Sequence, residues 1–289
     1  MSAQKVFKKY KIFGVEVDAV NMAEAIDHLT HIAHRPKSKP CYVVKPYVEF
    51  LDLAKRSKEV RLLLNNAEMC LPDGVSVQWA GRYIFGIKPK NWRRFVISAA
   101  SIMFKPKSIA KPFPEKFGGV NFTWPLLRAC RDQNLKVFLI GSPRHNDISQ
   151  TARIIRRALP DIKIVGTMAG KIDGLQGKEL LQALRKEKIS KSFIERIEKA
   201  EPDMIFVGMG FPLQEYVMAY LAAHLKHGVL VGEGGSFDYE SFGGKYRRTP
   251  SFFQKVGLEW LWRLTLEPSR YKRQLAIPRF MKDIYNSYR

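Results

Sequence analysis

The sequence predicts an α/β fold: a Rossmann-like, mostly parallel sheet with helices on both faces, followed by a basic C-terminal appendage. Short apolar, β-branched runs alternate with longer segments of helical character, and three of those runs end in glycine turns. Beyond about Gly243 the alternation stops and the composition turns aromatic and basic, which sets the appendage apart.

In chain order the strand-like runs are CYVVK (41–45), KVFLI (136–140), IKIVG (162–166), DMIFVG (203–208) and GVLVG (228–232). They read as buried strands, mostly apolar rather than strictly alternating. Helices are expected over Val48 to Asn66, Val75 to Arg82, Asp147 to Leu159, Gly177 to Ala200 and Pro212 to Lys226. The chain therefore divides into a core over 1–242, interrupted by a basic amphipathic insert at 86–114, and a membrane-facing appendage over 243–289. It contains no internal repeat and no low-complexity segment.

With 289 residues, 46% apolar and 26% charged, the chain is neither disordered nor fibrous. Cys41, Cys70 and Cys130 lie far apart, which excludes a disulfide scaffold and a CxxC zinc site and fits reduced cytosolic thiols. The first residues carry lysines but no apolar signal core. No run approaches the ~20 apolar residues of a spanning helix. A soluble or peripheral protein is expected.

Lys+Arg 49 against Asp+Glu 27 leaves +22, which calls for a polyanionic partner. The excess is concentrated. Between Gly86 and Pro114 there are seven basic residues and no acid, around the apolar decapeptide Phe95 to Phe104. From Arg270 to Arg289 there are six basic residues and one acid, interleaved with Tyr271, Phe280, Ile284, Tyr285 and Tyr288. A buried helix and a solvated basic face explain either segment alone, but two in one chain favour an anionic membrane surface. Nucleic acid has only the charge in its favour, since no RNP motif or zinc-finger spacing is present.

In a parallel sheet ligands bind beyond the carboxyl ends of the strands. Three such ends run into glycines: Gly141, then Gly208-Met209-Gly210, then Gly232-Glu233-Gly234-Gly235. None continues as GxGxxG or GxxxxGK[ST], so these are also plain turns between strand and helix. Asp73 stands in Pro72-Asp73-Gly74, either capping the next helix or serving as a general base. Gln214 is placed to offer an amide to a ligand over the glycine turn, and Glu215 to complement the helix dipole. Asp238 follows the last glycine turn, with a turn role as credible as a catalytic one. Arg263, Arg270 and Arg273 are spaced to converge on a diphosphate without a metal, or else belong to the solvated tail. His28, His31 and His34, with His224 and His227, lack a cysteine or carboxylate to complete a metal site.

Several of these residues fall into one ordered pattern. Pro72-Asp73-Gly74, Gly208-x-Gly210-x-Pro212-x-Gln214-Glu215 and the run GGSFDYESFGGKYRRTPSFFQKVGLEWLWRLTLEPSRYKRQ resemble the WecG/TagA/CpsF bacterial glycosyltransferases. The last run holds a glycine-rich FD turn, an R-x-P at Arg248, a GLEW-x-x-R ending in Arg263, and an EP-x-R-x-x-R with Arg270 and Arg273. The resemblance spans about residues 41 to 275 and implies a Rossmann-like core with a membrane-meeting appendage. It implies transfer of N-acetylmannosamine or a related uronic acid from a UDP-sugar donor to a polyprenyl-diphosphate-linked acceptor, in cell-surface polysaccharide synthesis. The place of action would be the cytoplasmic face of the plasma membrane, without metal or other cofactor, with no nucleic-acid partner and with room for a homo-oligomer.

By the same resemblance Asp73 would be the general base, and Arg263, Arg270 and Arg273 would neutralise diphosphate. Gly141, Gly208, Gly210, Gln214, Gly234, Asp238 and Arg248 would line the substrates. Two elements depart from the family pattern. Lys45-Pro46-Tyr47 stands where T-x-N is common, and Lys116 and Asn121 flank Gly119 where an Arg and an Asp are common. Lys45, Tyr47, Lys116 and Asn121 thus become candidate substrate contacts of altered chemistry. A non-catalytic nucleotide-sugar or lipid-diphosphate binding protein of the same fold is the second reading.

Overall fold

The computed structural model describes residues 7–35, 39–104, 106–142, 147–247, 249–250, 253, 259–266, 271 and 276–289. Its centre is a six-stranded sheet of β3 (Cys41–Val44), β4 (Met69–Cys70), β5 (Lys136–Gly141), β6 (Lys163–Ala169), β7 (Met204–Val207) and β8 (Val229–Gly232). The strand order is β4-β3-β8-β7-β5-β6 and every pairing is parallel. The expected fold class is therefore observed, with every expected strand in it.

Alternate residues of each strand feed two apolar layers. Val44, Ile140, Ile205, Val207 and Leu230 face one side, and Val43, Leu139, Met204, Phe206 and Val231 the other. Helices α2 (Val48–Arg56), α3 (Lys58–Asn65), α4 (Val75–Gly86), α8 (Gly177–Arg185), α9 (Lys191–Ala200) and α10 (Leu213–His224) cover the first layer. Helices α1 (Met22–Ala33), α6 (Gly119–Asp132) and α7 (Ile148–Ala158) cover the second. This two-sided cover is why the inner strands read as apolar runs, while the edge strand β6 leaves Lys163, Val165 and Ala169 exposed.

Two expected helices are each divided. Over 48–66 the chain breaks at Ser57, whose extended backbone ends α2 while its hydroxyl accepts the Val60 N–H at 3.3 Å and caps α3. Over 177–200 the break lies between α8 and α9, where Glu187 takes a left-handed conformation (φ +52°). An N-terminal hairpin of β1 (Lys9–Ile12) and β2 (Val15–Asp18) was not legible, nor was the two-residue β4. The hairpin turn uses Phe13 and Gly14, both at positive φ (49° and 79°), as its right-handed strand twist demands.

The basic insert folds as α5 (Trp92–Phe104), which packs on α4 through Phe95, set against Trp79 and Tyr83, each 5.7 Å away. At the end of the chain, α11 (Glu259–Leu266) precedes α12 (Ala276–Tyr288). Phe280 and Ile284 of α12 are buried against the core, each worth roughly 1.5–3 kcal/mol. The Phe13 N–H donates to the Tyr288 hydroxyl at 2.7 Å, so the last helix closes over the first hairpin.

Candidate functional site

Because all six strands are parallel, the residues that follow them emerge on one edge. In sheet order this edge presents Asp73 after β4, Lys45 and Tyr47 after β3, Glu233 and Gly234 after β8, Gly208 to Gln214 after β7, and Gly141 at the end of β5. Candidate residues far apart in the chain are thus brought to one edge, while Arg248, Arg270, Arg273 and the Arg263 side chain fall outside the described residues.

Asp73 is placed by the backbone beyond β4. The Leu71 N–H donates to Val44 O at 2.9 Å and the Asp73 N–H to Pro46 O at 3.1 Å, so this segment tracks the end of β3. The Phe117 N–H donates to Pro72 O at 2.9 Å, bringing the start of α6 alongside. A Cβ on Gly118 would lie 3.0 Å from the Asp73 carboxylate, and one on Gly119 3.5 Å from the Ser236 hydroxyl. The α6 N-terminus, capped by Gly118 with no side-chain hydrogen bond, therefore stands between Asp73 and the loop after β8. Lys116 is half-buried just before it, and Asn121 is exposed on its first turn.

Lys45 does not project into solvent. Its Nζ donates to Glu233 Oε2 at 2.9 Å, with Lys45 6% and Glu233 3% exposed, and it lies 5.1 Å from the centre of the Phe122 ring. The Thr123 hydroxyl donates to the same carboxylate oxygen. Glu233 Oε1 is buried without a hydrogen-bond partner among the described residues. This lysine–glutamate–threonine lock was missed in the sequence. The one available signal was an acid set among glycines at a strand end.

Gln214 is turned inward. Its carbonyl accepts the Gly234 N–H at 2.6 Å and its amide donates to Glu215 Oε1 at 2.8 Å, so it ties the loops after β7 and β8 together. Gly232 makes room for it, since a Cβ there would lie 2.6 Å from Gln214 Nε2. Glu215 is fully buried, and desolvation raises its carboxyl to about 8 against the opposing pull of Gln214 and Lys45. Near neutral pH it is largely protonated, which weakens the expected dipole role. Gly210 and Gly234 have positive φ (77° and 54°) with open space around them, so conformation rather than crowding requires glycine there. At Gly208 the reason is contact, a Cβ lying 2.5 Å from Phe237.

Tyr47 donates its hydroxyl to Glu49 and packs on Phe50, which stacks on Phe211 at 3.8 Å. Asp238 is buried in a short helical turn, Ser236–Asp238, and its carbonyl accepts the Tyr246 N–H at 2.9 Å. Arg263 lies on α11, with its side chain outside the described residues, and Arg248, Arg270 and Arg273 also lie outside them. Among the described residues no three His, Cys, Asp or Glu side chains converge as metal ligands. His28 instead bonds Glu68 at 2.8 Å, and His227 pairs with Asp203 at 3.4 Å. Burial pushes the Cys41 thiol up to about 12, which leaves it unreactive.

At the opposite edge of the sheet a cavity of about 560 Å³ opens beside Arg35, Lys136 and Lys226. Lys136 pairs with Glu201 at 3.0 Å and Lys226 with Glu198 at 3.5 Å, while Arg35 bonds His31 Nε2 at 3.0 Å. The C-terminal end of α9 also points there, a poor environment for a phosphate.

The fold, the site edge and the sequence pattern meet in one comparison: the sequence profile of the glycosyl transferase WecG/TagA/CpsF family matches residues 10–99 and 94–289. The chain belongs to this family. Among its relatives is an N-acetylglucosaminyldiphosphoundecaprenol N-acetyl-beta-D-mannosaminyltransferase of Bacillus spizizenii, 26% identical over 91% of this chain and 86% of the relative. A protein of the same name from Bacillus subtilis is 28% identical over 90% and 84%. One from Staphylococcus aureus is 25% identical over 97% and 94%. In this family member, no helix among the described residues is long and apolar enough to cross a membrane.

Proposed function

We propose that this glycosyltransferase moves an N-acetylmannosamine residue, or a closely related aminosugar or its uronic acid, from a UDP donor to a polyprenyl-diphosphate-linked acceptor sugar. It would work as a peripheral protein at the cytoplasmic face of the membrane. The observation that carries this reading is the position of Asp73, beside the α6 N-terminus and on the same sheet edge as the glycine loops after β7 and β8.

In the proposed step the acceptor hydroxyl gives its proton to the Asp73 carboxylate as its oxygen bonds to the anomeric carbon. The bond from that carbon to the diphosphate breaks, and UDP leaves with the electron pair. Arg263, Arg270 and Arg273 are assigned to the developing diphosphate charge, a role met here by cationic side chains rather than a metal. Arg248, Lys116 and the α6 N-terminus are assigned to the donor phosphates, and Asn121 and Tyr47 to the sugars. Lys45 and Gln214 act through the protein, holding the β8 loop in place.

The test is incubation of the full chain with UDP-N-acetylmannosamine and a short-chain lipid-diphosphate N-acetylglucosamine. Equal amounts of UDP and lipid-linked disaccharide are expected. Tight binding of both substrates with no disaccharide would favour the binding-protein reading.

A further inference from the structure

We propose that the outward face of α5 is an interfacial contact for a bilayer of anionic phospholipid. One side of this helix is spoken for, because Phe95 meets Trp79, Tyr83 and Tyr285, and the Trp79 indole donates to the Ser98 hydroxyl at 3.1 Å. The other side carries Trp92, Arg93, Val96, Ile97 and Ala100, spaced as one helical stripe and all exposed. Trp92, Val96 and Ile97 are 62%, 53% and 68% exposed. An apolar stripe of this kind on a helix of 13 residues is too short to span a bilayer and suited to lying in its interface.

Charge selects the occupant. Lys88, Arg93 and Arg94 are exposed around the stripe, and no acid occurs between Gly86 and Pro114. Asn91 caps the helix start by accepting the Arg94 N–H at 3.0 Å, and the Arg94 guanidinium donates to Lys88 O at 2.7 Å, which holds that cation at the stripe's edge. A second copy packed across this face would bring Arg93 and Arg94 toward their own equivalents. An anionic headgroup layer would neutralise them while the tryptophan and aliphatic side chains enter the acyl boundary. The proposal concerns lipid binding by the protein alone and stands apart from the transfer reaction.

The test uses the full chain and sedimentation with phosphatidylglycerol–phosphatidylcholine vesicles against pure phosphatidylcholine, without substrates. Binding is expected only to the anionic vesicles and should weaken with salt. In the triple variant W92S/V96S/I97S it should fall by about tenfold or more. In K88Q/R93Q/R94Q it should fall by at least about tenfold, each charge contributing up to about fivefold. Both variants should melt as the parent does, because the substituted side chains are exposed. Unchanged vesicle binding in both would overturn the proposal. A shift in oligomeric state without a change in lipid binding would assign the face to a second copy instead. A lowered melting temperature with unchanged lipid binding would assign it to another part of this chain.

Discussion

A lysine held 2.9 Å from a glutamate, with both out of water, is secure only while both are present, because either charge alone is buried without its counter-ion. Lys45→Met should therefore lower stability by about 3–5 kcal/mol. The double substitution K45M/E233L should recover most of that loss, as read by urea melts. Thr123 keeps a second bond in that variant, to Gly119 O at 3.0 Å. Glu215 gives a pH signature of opposite origin. Its folded carboxyl titrates near 8 against a usual 4.5, so the folded state holds the proton more tightly than the unfolded one. The stability it confers is complete below about 4.5 and is lost as pH rises toward 8. The loss is on the order of a few kcal/mol. Glu215→Gln should flatten this part of the stability–pH curve while keeping the fold, since a neutral amide replaces a largely protonated acid. Lys45 and Tyr42, the charged or titratable groups coupled to it, stay unchanged in the comparison.

At the scale of elements, the start of α6 is where backbone and carboxylate meet most closely. Gly118 has an ordinary φ of −73°, so alanine there brings no backbone strain, only a methyl group 3.0 Å from the Asp73 carboxylate. Gly118→Ala should lower kcat by about tenfold or more through displacement of that carboxylate, with the melting temperature nearly unchanged. The inner strands were legible because burial on both faces leaves a nearly unbroken apolar run, whereas the edge strand β6 carries Lys163 and is partly exposed. The breaks within 48–66 and 177–200 were not legible, since Ser57 and Glu187 are unremarkable helix residues until their backbone angles are seen. The first hairpin hid behind a Phe-Gly turn, where Asn-Gly is the usual signal. The turn beyond β4 that carries Asp73 was legible from Pro-Asp-Gly. The Glu233 lock was not, because its partners Lys45 and Thr123 lie 188 and 110 residues away in sequence.

Over the whole molecule, parallel strands send every loop of the site to one edge, and the last helix packs back on α2 and α4, on the layer where α5 also sits. The proposed roles would put the charge excess of +22 to two uses, a diphosphate at the sheet edge and an anionic surface at α5. If Arg263 and Arg270 complete the site rather than tether the chain, R263Q/R270Q should lose turnover with a water-soluble acceptor, where no membrane is involved. Whether Asp73 takes the acceptor proton is decided by measuring UDP-sugar binding and single-turnover transfer side by side in the parent and in Asp73→Asn. Unchanged donor affinity with transfer slowed by about 10²–10⁴-fold is expected. Transfer at the parental rate in that variant would contradict that role for Asp73.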